Sequence, residues 1–173
     1  MPAGAQQALA RGSLPHVTLT QCALRDAPRE RLAAFIERLE GQLRGRTVPL
    51  SAVMRFGAGF LFWSVDPASP ERAVVQSAHE HAITVADGLL DPVVNEAVVE
   101  GTASAFKNDA ALVDNARRYG YALIKERYLP HITLGFDPRV PVAEQRCPHA
   151  MTVERVAVVR LGPLGRVAEV LSL

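Results

Sequence analysis

The sequence predicts an α+β protein built from two small antiparallel sheets with helices on the outside. Stretches of β-forming residues alternate with segments whose apolar residues recur every three or four positions, as on one helix face. The same six-residue pattern also occurs in both halves, as LPHVTL at residues 14–19 and LPHITL at residues 129–134. We therefore predict a single bilobal, pseudo-twofold domain over residues 1–173, with the two His-bearing strands at a central groove.

The first lobe, at about residues 12–90, is predicted as a βαββα unit. Glycines at positions 57 and 59 separate two β-rich stretches, which is typical of a hairpin. The predicted elements are a strand at 14–22, a helix from about Pro28 to Gly45, strands at 47–56 and 59–65, and a helix at 71–86.

The second lobe, at about residues 109–173, follows a connector at about 87–108. Asp109 is suited to cap the start of a helix, and Gly120 is suited to end it. The other predicted elements are a short helix around 93–99, an extended stretch at 121–136, a helical turn at 142–146, and paired strands at 151–161 and 166–173.

Composition excludes several classes of protein. The chain has 173 residues, of which 49% are hydrophobic and 21% charged, and this balance is typical of a globular domain. Its formal net charge of +1 provides no overall attraction to polyanions, so duplex DNA is not an expected partner. No apolar run approaches the roughly 20 residues that cross a bilayer, so we expect a cytoplasmic protein that does not enter membranes.

Metals and other cofactors are not expected. The two cysteines, Cys22 and Cys147, do not stand in a spacing typical of metal ligands or of a disulfide scaffold. We predict that both are plain thiols.

Each copy of the repeated pattern places a histidine and a threonine on one face of a strand. Side chains alternate between the faces of a strand, so residues two apart point the same way, roughly 6.6–7 Å from each other. Two such strands would bring four polar side chains around one small anion: His16, Thr18, His131 and Thr133. Packing alone does not require the same polar pair twice, so the repeat favours a function for these residues.

These side chains suit the cleavage of a phosphodiester. The reaction needs one group that takes a proton from the attacking oxygen and another that gives a proton to the leaving oxygen. Histidine serves in both roles because its reference pKa is about 6.5. Threonine hydroxyls donate hydrogen bonds to the non-bridging oxygens. We therefore predict that the two histidines and two threonines are catalytic, in a reaction that requires no metal.

Five further residues are candidates for substrate binding. If the second strand continues regularly upstream of its motif, Lys125 and Arg127 share a face with the second histidine and point two cations toward the groove. The planar guanidinium of Arg127 matches two phosphate oxygens. Tyr128, Phe62 and Trp63 are candidates for stacking on a base. The alternatives are a solvated strand end for the two cations and a place in the core for the three aromatic rings.

The remaining histidines are predicted to have no catalytic function. His79 and His81 are two positions apart on a predicted helix, so they point about 200° apart and form no ligand pair. We predict that both lie at the surface or at the groove rim. His149 lacks the His-x-Thr spacing and is predicted to be structural.

The chain resembles the 2H phosphoesterase superfamily, which includes bacterial 2′-5′ RNA ligase-like enzymes and plant and yeast cyclic nucleotide phosphodiesterases. The resemblance rests on PHVTL and PHITL, on the strand at 59–63, and on the turn at 119–121 that leads into the second motif. It implies a bilobal fold with both motifs at a central groove and metal-independent action on 2′,3′-cyclic or 2′-5′-linked phosphates. By analogy with members that hydrolyse cyclic phosphates, His131 is the base that activates water and His16 is the acid.

The expected function is hydrolysis of the 2′,3′-cyclic phosphate of a nucleotide or an RNA end to a 2′-phosphate. Two alternatives within enzymes are ligation of RNA ends through a 2′-5′ linkage and cleavage of 2′-5′ oligonucleotides. The alternative from another class is a non-catalytic module that binds a nucleotide or a phosphate.

The segment ahead of the first motif departs from the family pattern. Many members begin with a strand and a helix there, whereas here the residues are rich in Ala and Gly, and 5–11 is predicted as a remnant of that helix. A missing strand would leave a sheet edge unpaired. We expect a monomer, with a dimer that covers this edge as the alternative.

Overall fold

The computed structural model is a mixed α+β fold, which confirms the predicted class. It describes residues 6–7, 14–22, 29–87, 96–107, 109–139, 144–162 and 167–171. The strands of this part are β1 (Gln6–Gln7), β2 (Thr47–Phe56), β3 (Phe60–Val65), β4 (His131–Phe136), β5 (Gln145–Thr152), β6 (Val159–Leu161) and β7 (Val167–Val170). Its α-helices are α1 (Arg29–Leu43), α2 (Pro70–Asp87), α3 (Glu96–Ala105) and α4 (Ala110–Tyr119).

Several predicted elements of the first half are confirmed. Helix α1 buries Leu32, Leu39 and Leu43 on one face, and the chain leaves it through Gly45 with a φ of 78°. Strands β2 and β3 form the predicted antiparallel hairpin. Helix α2 begins and ends within one residue of its predicted bounds. The predicted helix start at Pro28 lies outside the described residues.

Strands from both halves share the principal sheet, so the prediction of one sheet for each half is wrong. The strand order is β1-β4-β3-β2-β5, and every neighbouring pair is antiparallel. Strand β4 pairs with the first-half hairpin on one side, and β5 pairs with it on the other. Strands β6 and β7 form a separate pair. Alternation within a strand specifies its buried face but not its partner, which packing selects.

Helices cover both faces of the principal sheet. On one face, Ile132 and Val65 pack in a cluster with Val75 of α2. On the other face, Phe62 packs against Leu112 of α4 and against Ala122 and Leu123, in the segment that follows α4. Side chains alternate along β4, so His131 lies on the α4 face while its neighbour Ile132 lies on the α2 face.

Parts of the second half differ from their prediction. The strand predicted at 151–161 is divided between the end of β5 and β6, since residues 153–158 form no strand. Lys125–Arg127 forms one 3₁₀ turn, in which Lys125 has a φ of 53°. The extended stretch predicted at 121–136 is therefore interrupted, and its strand is β4 alone. Gln145 and Arg146 belong to β5, because pairing with β2 overrides their polar local pattern. The helix predicted around 93–99 is confirmed at 96–99 and continues as α3 to Ala105, and residues 93–95 and 142–143 are outside the described residues.

The segment ahead of the first motif is extended where it is described. Gln6 and Gln7 pair with Phe136 and Gly135 on β4, so the helix predicted for 5–11 is wrong at these two positions. These two residues are extended because their backbone pairs with the edge of β4, which would otherwise be unpaired. In the described part of the chain, none of the helices has the length and apolar character needed to span a membrane.

Helix α4 has both predicted end signals. The Asp109 carboxylate accepts hydrogen bonds from the backbone N–H groups of Ala111 and Leu112, at 3.1 and 3.2 Å. Gly120 has a φ of 73°, and its N–H donates to the carbonyl of Ala116. The cap satisfies backbone donors that a helix start otherwise leaves unpaired.

Asp109→Ala is expected to lower the free energy of unfolding by about 1 kcal/mol, because the two capping hydrogen bonds are lost. Urea denaturation measures this change. Asp114→Ala is the matched control, since Asp114 forms an exposed ion pair with Arg118 at 3.8 Å on the same helix and such pairs contribute little. An equal loss of stability in both variants would contradict the capping role.

Candidate active site

The two repeated motifs lie side by side in antiparallel orientation. Val17 forms an antiparallel bridge with Ile132, and both residues pack in the cluster on the α2 face. The strand predicted at 14–22 is wrong, since the structure has only this isolated bridge there. Val17 and Leu19 both pack against the cluster on the α2 face, so local alternation places Thr18 and His16 on the other face, as it does His131 and Thr133. Continued by one residue on each side of this bridge, the antiparallel register sets His16 opposite Thr133 and Thr18 opposite His131. The structure thus brings the two motifs together, with the two histidines close enough for the charge of His16 to lower the pKa of His131.

Both histidines form the same hydrogen bond with their own chain. Nδ1 of His16 lies 2.9 Å from the carbonyl oxygen of Leu14, and Nδ1 of His131 lies 2.5 Å from that of Leu129. In each motif a proline follows the leucine and favours extended backbone at that leucine. A carbonyl oxygen only accepts hydrogen bonds, so Nδ1 carries a proton. The neutral ring therefore keeps its lone pair on Nε2, which is left for proton exchange.

His131 is held in a mostly buried position. Its side chain is 7% exposed, and its ring stacks on Phe62 with 3.5 Å between centroids and 23° between planes. Burial lowers the pKa of His131 to about 4, the hydrogen bond to Leu129 opposes this shift, and the charge of His16 adds to it. The imidazole of His131 is therefore uncharged at neutral pH.

The chain matches no family model, no curated protein and no solved structure. Its function must therefore be inferred from its own side chains.

Ser64 is a site residue that the sequence alone did not reveal. It lies directly across from His131 in the β3–β4 register, and its hydroxyl is buried without a hydrogen-bond partner among the described residues. An unpaired buried hydroxyl costs about 1–3 kcal/mol, so this group suits a ligand oxygen or a water molecule. The available signal was a single hydroxyl residue within the otherwise apolar strand FLFWSV.

His79 is fully buried, so its predicted place at the surface or groove rim is wrong. Its Nδ1–H donates to the carbonyl of Leu19 at 2.5 Å, and its Nε2 accepts from the N–H of Lys125 at 2.9 Å. Burial lowers the pKa of His79, against the opposing effects of the Leu19 carbonyl and the Glu80 charge. The ring links the last residue of the first motif, Leu19, to the turn before the second motif.

Tyr128 lies in the core rather than in a groove. Its ring stacks in parallel on His79 with centroids 3.7 Å apart, and its hydroxyl donates to the Thr18 carbonyl at 3.0 Å. Burial raises the pKa of this hydroxyl. Tyr128 therefore connects the two motifs, and its ring is engaged by the protein instead of being open to a base.

The structure separates the other two aromatic candidates. Phe62 is 4% exposed and stacks between Phe56 and His131, so it supports the imidazole. Trp63 points to the opposite face, where its indole N–H donates to the Cys147 carbonyl at 2.9 Å and its ring stacks on His149. The sheet therefore lies between Trp63 and the motif histidines.

Lys125 and Arg127 do not share the strand face of His131, because the 3₁₀ turn removes the alternation on which that prediction depended. The ammonium of Lys125 lies over the Tyr119 ring and hydrogen-bonds its hydroxyl. The guanidinium of Arg127 lies 3.5 Å from the Asp109 carboxylate. Both cations are exposed and are directed toward partners on or beside α4.

Proposed function

We propose that this protein is a 2H-type phosphodiesterase that hydrolyses the 2′,3′-cyclic phosphate of a nucleotide or an RNA end to a 2′-phosphate. The observation that carries the proposal is the matched pair of Nδ1 hydrogen bonds on two facing motifs, which leaves two Nε2 atoms for proton transfer. The antiparallel bridge between the two motifs also supports the proposal, since it sets the motifs side by side.

The two histidines take different roles because their surroundings differ. Nε2 of His131 accepts a proton from water as the water oxygen attacks phosphorus. The bond from phosphorus to O3′ breaks, and protonated His16 gives a proton to O3′. A group with a pKa of about 4 is almost entirely unprotonated at pH 7, so His131 suits the base role and leaves the acid role to His16.

Hydroxyl groups complete the proposed site. Thr18 and Thr133 are each paired with the histidine of the other motif, so one hydroxyl accompanies each proton-transfer group. Hydrogen bonds from these hydroxyls stabilise the charge on the non-bridging phosphate oxygens. Ser64, across from His131, provides a third donor on the same sheet face.

Turnover of 2′,3′-cyclic AMP tests the proposal, with product identified by ³¹P NMR. We expect 2′-AMP, and we expect the acid limb of kcat/KM to lie well below pH 6.5, toward pH 4. The sign follows from the base role, since His131 must be neutral and activity falls as pH drops through its pKa of about 4.

Three outcomes would contradict this function. Binding without turnover would favour a nucleotide-binding module. Joining of RNA ends, or cleavage confined to 2′-5′ oligonucleotides, would favour the alternative enzymes. Activity that keeps rising as pH falls through 4 would contradict the role of His131 as base.

A further inference from the structure

A cavity of about 560 Å³ lies beside the second motif, at the end of the β2–β3 hairpin. Its lining includes Phe56, Phe106, Lys107, Asp109, Arg127 and Leu129. We propose that this cavity binds the nucleobase of the substrate whose phosphate lies at the two histidines. The proposal rests on the proposed function for the identity of the ligand as a nucleotide.

The cavity and the proposed catalytic base have neighbouring residues in common. Leu129 lines the cavity, and its carbonyl accepts the Nδ1–H of His131. Phe56 also lines the cavity and stacks on Phe62 with centroids 5.3 Å apart, and Phe62 in turn stacks on His131. Phe62 therefore lies between the cavity wall and the His131 ring, and the proposed ligand extends past it, with its base in the cavity and its phosphate at the histidines.

Two aromatic rings provide an apolar surface for a planar ligand. The centroids of Phe56 and Phe106 are 5.3 Å apart, with the rings tilted by 59°. Gly57 allows the backbone to pack closely against Phe106, since a Cβ there would lie 2.7 Å from the Ala105 carbonyl oxygen and from the Phe106 ring. Stacking of a base on an aromatic side chain contributes about 1–3 kcal/mol.

Polar groups in the cavity lining match the edge of a base. The Arg127 guanidinium and the Asp109 carboxylate place a donor beside an acceptor, 3.5 Å apart. The Watson–Crick edge of each nucleobase also presents an acceptor beside a donor, so this pair suits bases generally. Two cations, Lys107 and Arg127, are balanced by Asp109 and Glu126, and this balance favours a neutral ring over a second phosphate.

Nucleoside binding tests the cavity independently of catalysis. Adenosine and guanosine, which carry no phosphate, are titrated into the full-length protein and followed by NMR chemical shifts. We expect binding to the wild type and a loss of affinity of about fivefold or more in Arg127→Ala and Phe106→Leu. Arg160→Ala is the control, since its ion pair with Glu169 joins β6 and β7, and it should bind like the wild type.

Arg127→Ala and Phe106→Leu together separate a loss of nucleoside binding from a loss of folding. Phe106→Leu alters packing, so its thermal unfolding is measured, whereas the Arg127 side chain is 50% exposed and its removal should leave the fold intact. Absence of nucleoside binding, or equal affinity in wild type and Arg127→Ala, would overturn the base subsite even if cyclic phosphate is hydrolysed. Arg127-dependent binding without any hydrolysis would support the subsite and overturn the hydrolase function alone.

Discussion

Replacing either motif histidine with asparagine is expected to lower the turnover of 2′,3′-cyclic AMP by about 10²–10⁴-fold. Asparagine keeps a donor near the position of Nδ1, so the hydrogen bonds to Leu14 and Leu129 can persist. It lacks a titratable nitrogen at the position of Nε2. His16→Asn and His131→Asn therefore remove proton transfer and keep the side-chain hydrogen bonds to the local backbone.

Steady-state kinetics with matched histidine controls measure this effect. His149 stacks on Trp63 on the opposite face of the sheet, and His81 is exposed on α2. Asparagine at either control position should leave kcat unchanged. The double motif variant should be little slower than the single variants, since the two groups act in one step. Wild-type turnover in His16→Asn or His131→Asn would contradict two-histidine catalysis.

Lowering the pH from 7 to 4 is expected to reduce the free energy of unfolding, by on the order of 3 kcal/mol from His131 alone. The pKa of this side chain is about 4 in the folded protein, against about 6.5 in an unfolded chain. Between these values the unfolded state binds a proton that the folded state does not. Stability is therefore complete above pH 6.5 and is lost as pH falls toward 4.

His79 acts in the same direction, because burial lowers its pKa as well. Protonation at Nε2 would break its hydrogen bond from the Lys125 N–H, and with it the link between the two motifs. Acid should therefore loosen the site before the rest of the protein unfolds. Backbone hydrogen exchange at Lys125 reports on this step.

Urea denaturation at pH 7, 5.5 and 4 measures the dependence. His131→Asn should remove most of the contribution of His131 to the slope, while the control His81→Asn should keep the wild-type slope. A wild-type free energy of unfolding that is flat between pH 7 and 4 would contradict this expectation. So would an equal slope in His131→Asn.

Local features of the chain were readable from the sequence alone. The spacing of leucines located α1, the glycines at 57 and 59 located the hairpin, and Asp109 with Gly120 located both ends of α4. Each signal depends on residues within one or two turns of each other. The repeated His-x-Thr pattern is also local, since alternation along each strand specifies which side chains share a face.

Contacts between distant segments required the tertiary structure. The sequence did not reveal that β4 lies against β3, that His79 is buried against Tyr128, or that Trp63 faces away from the motif histidines. Periodicity predicts a buried face but contains no information about which surface covers it.

The sequence by itself therefore determined the chemical groups of the site, whereas the tertiary structure decided their surroundings. The six-residue motifs around His16 and His131 are nearly identical, so the motifs alone do not distinguish the two histidines. Packing of Phe62 and burial on the α4 face lower the pKa of His131. The difference between proposed base and acid thus arises from desolvation, which depends on residues far apart in the chain.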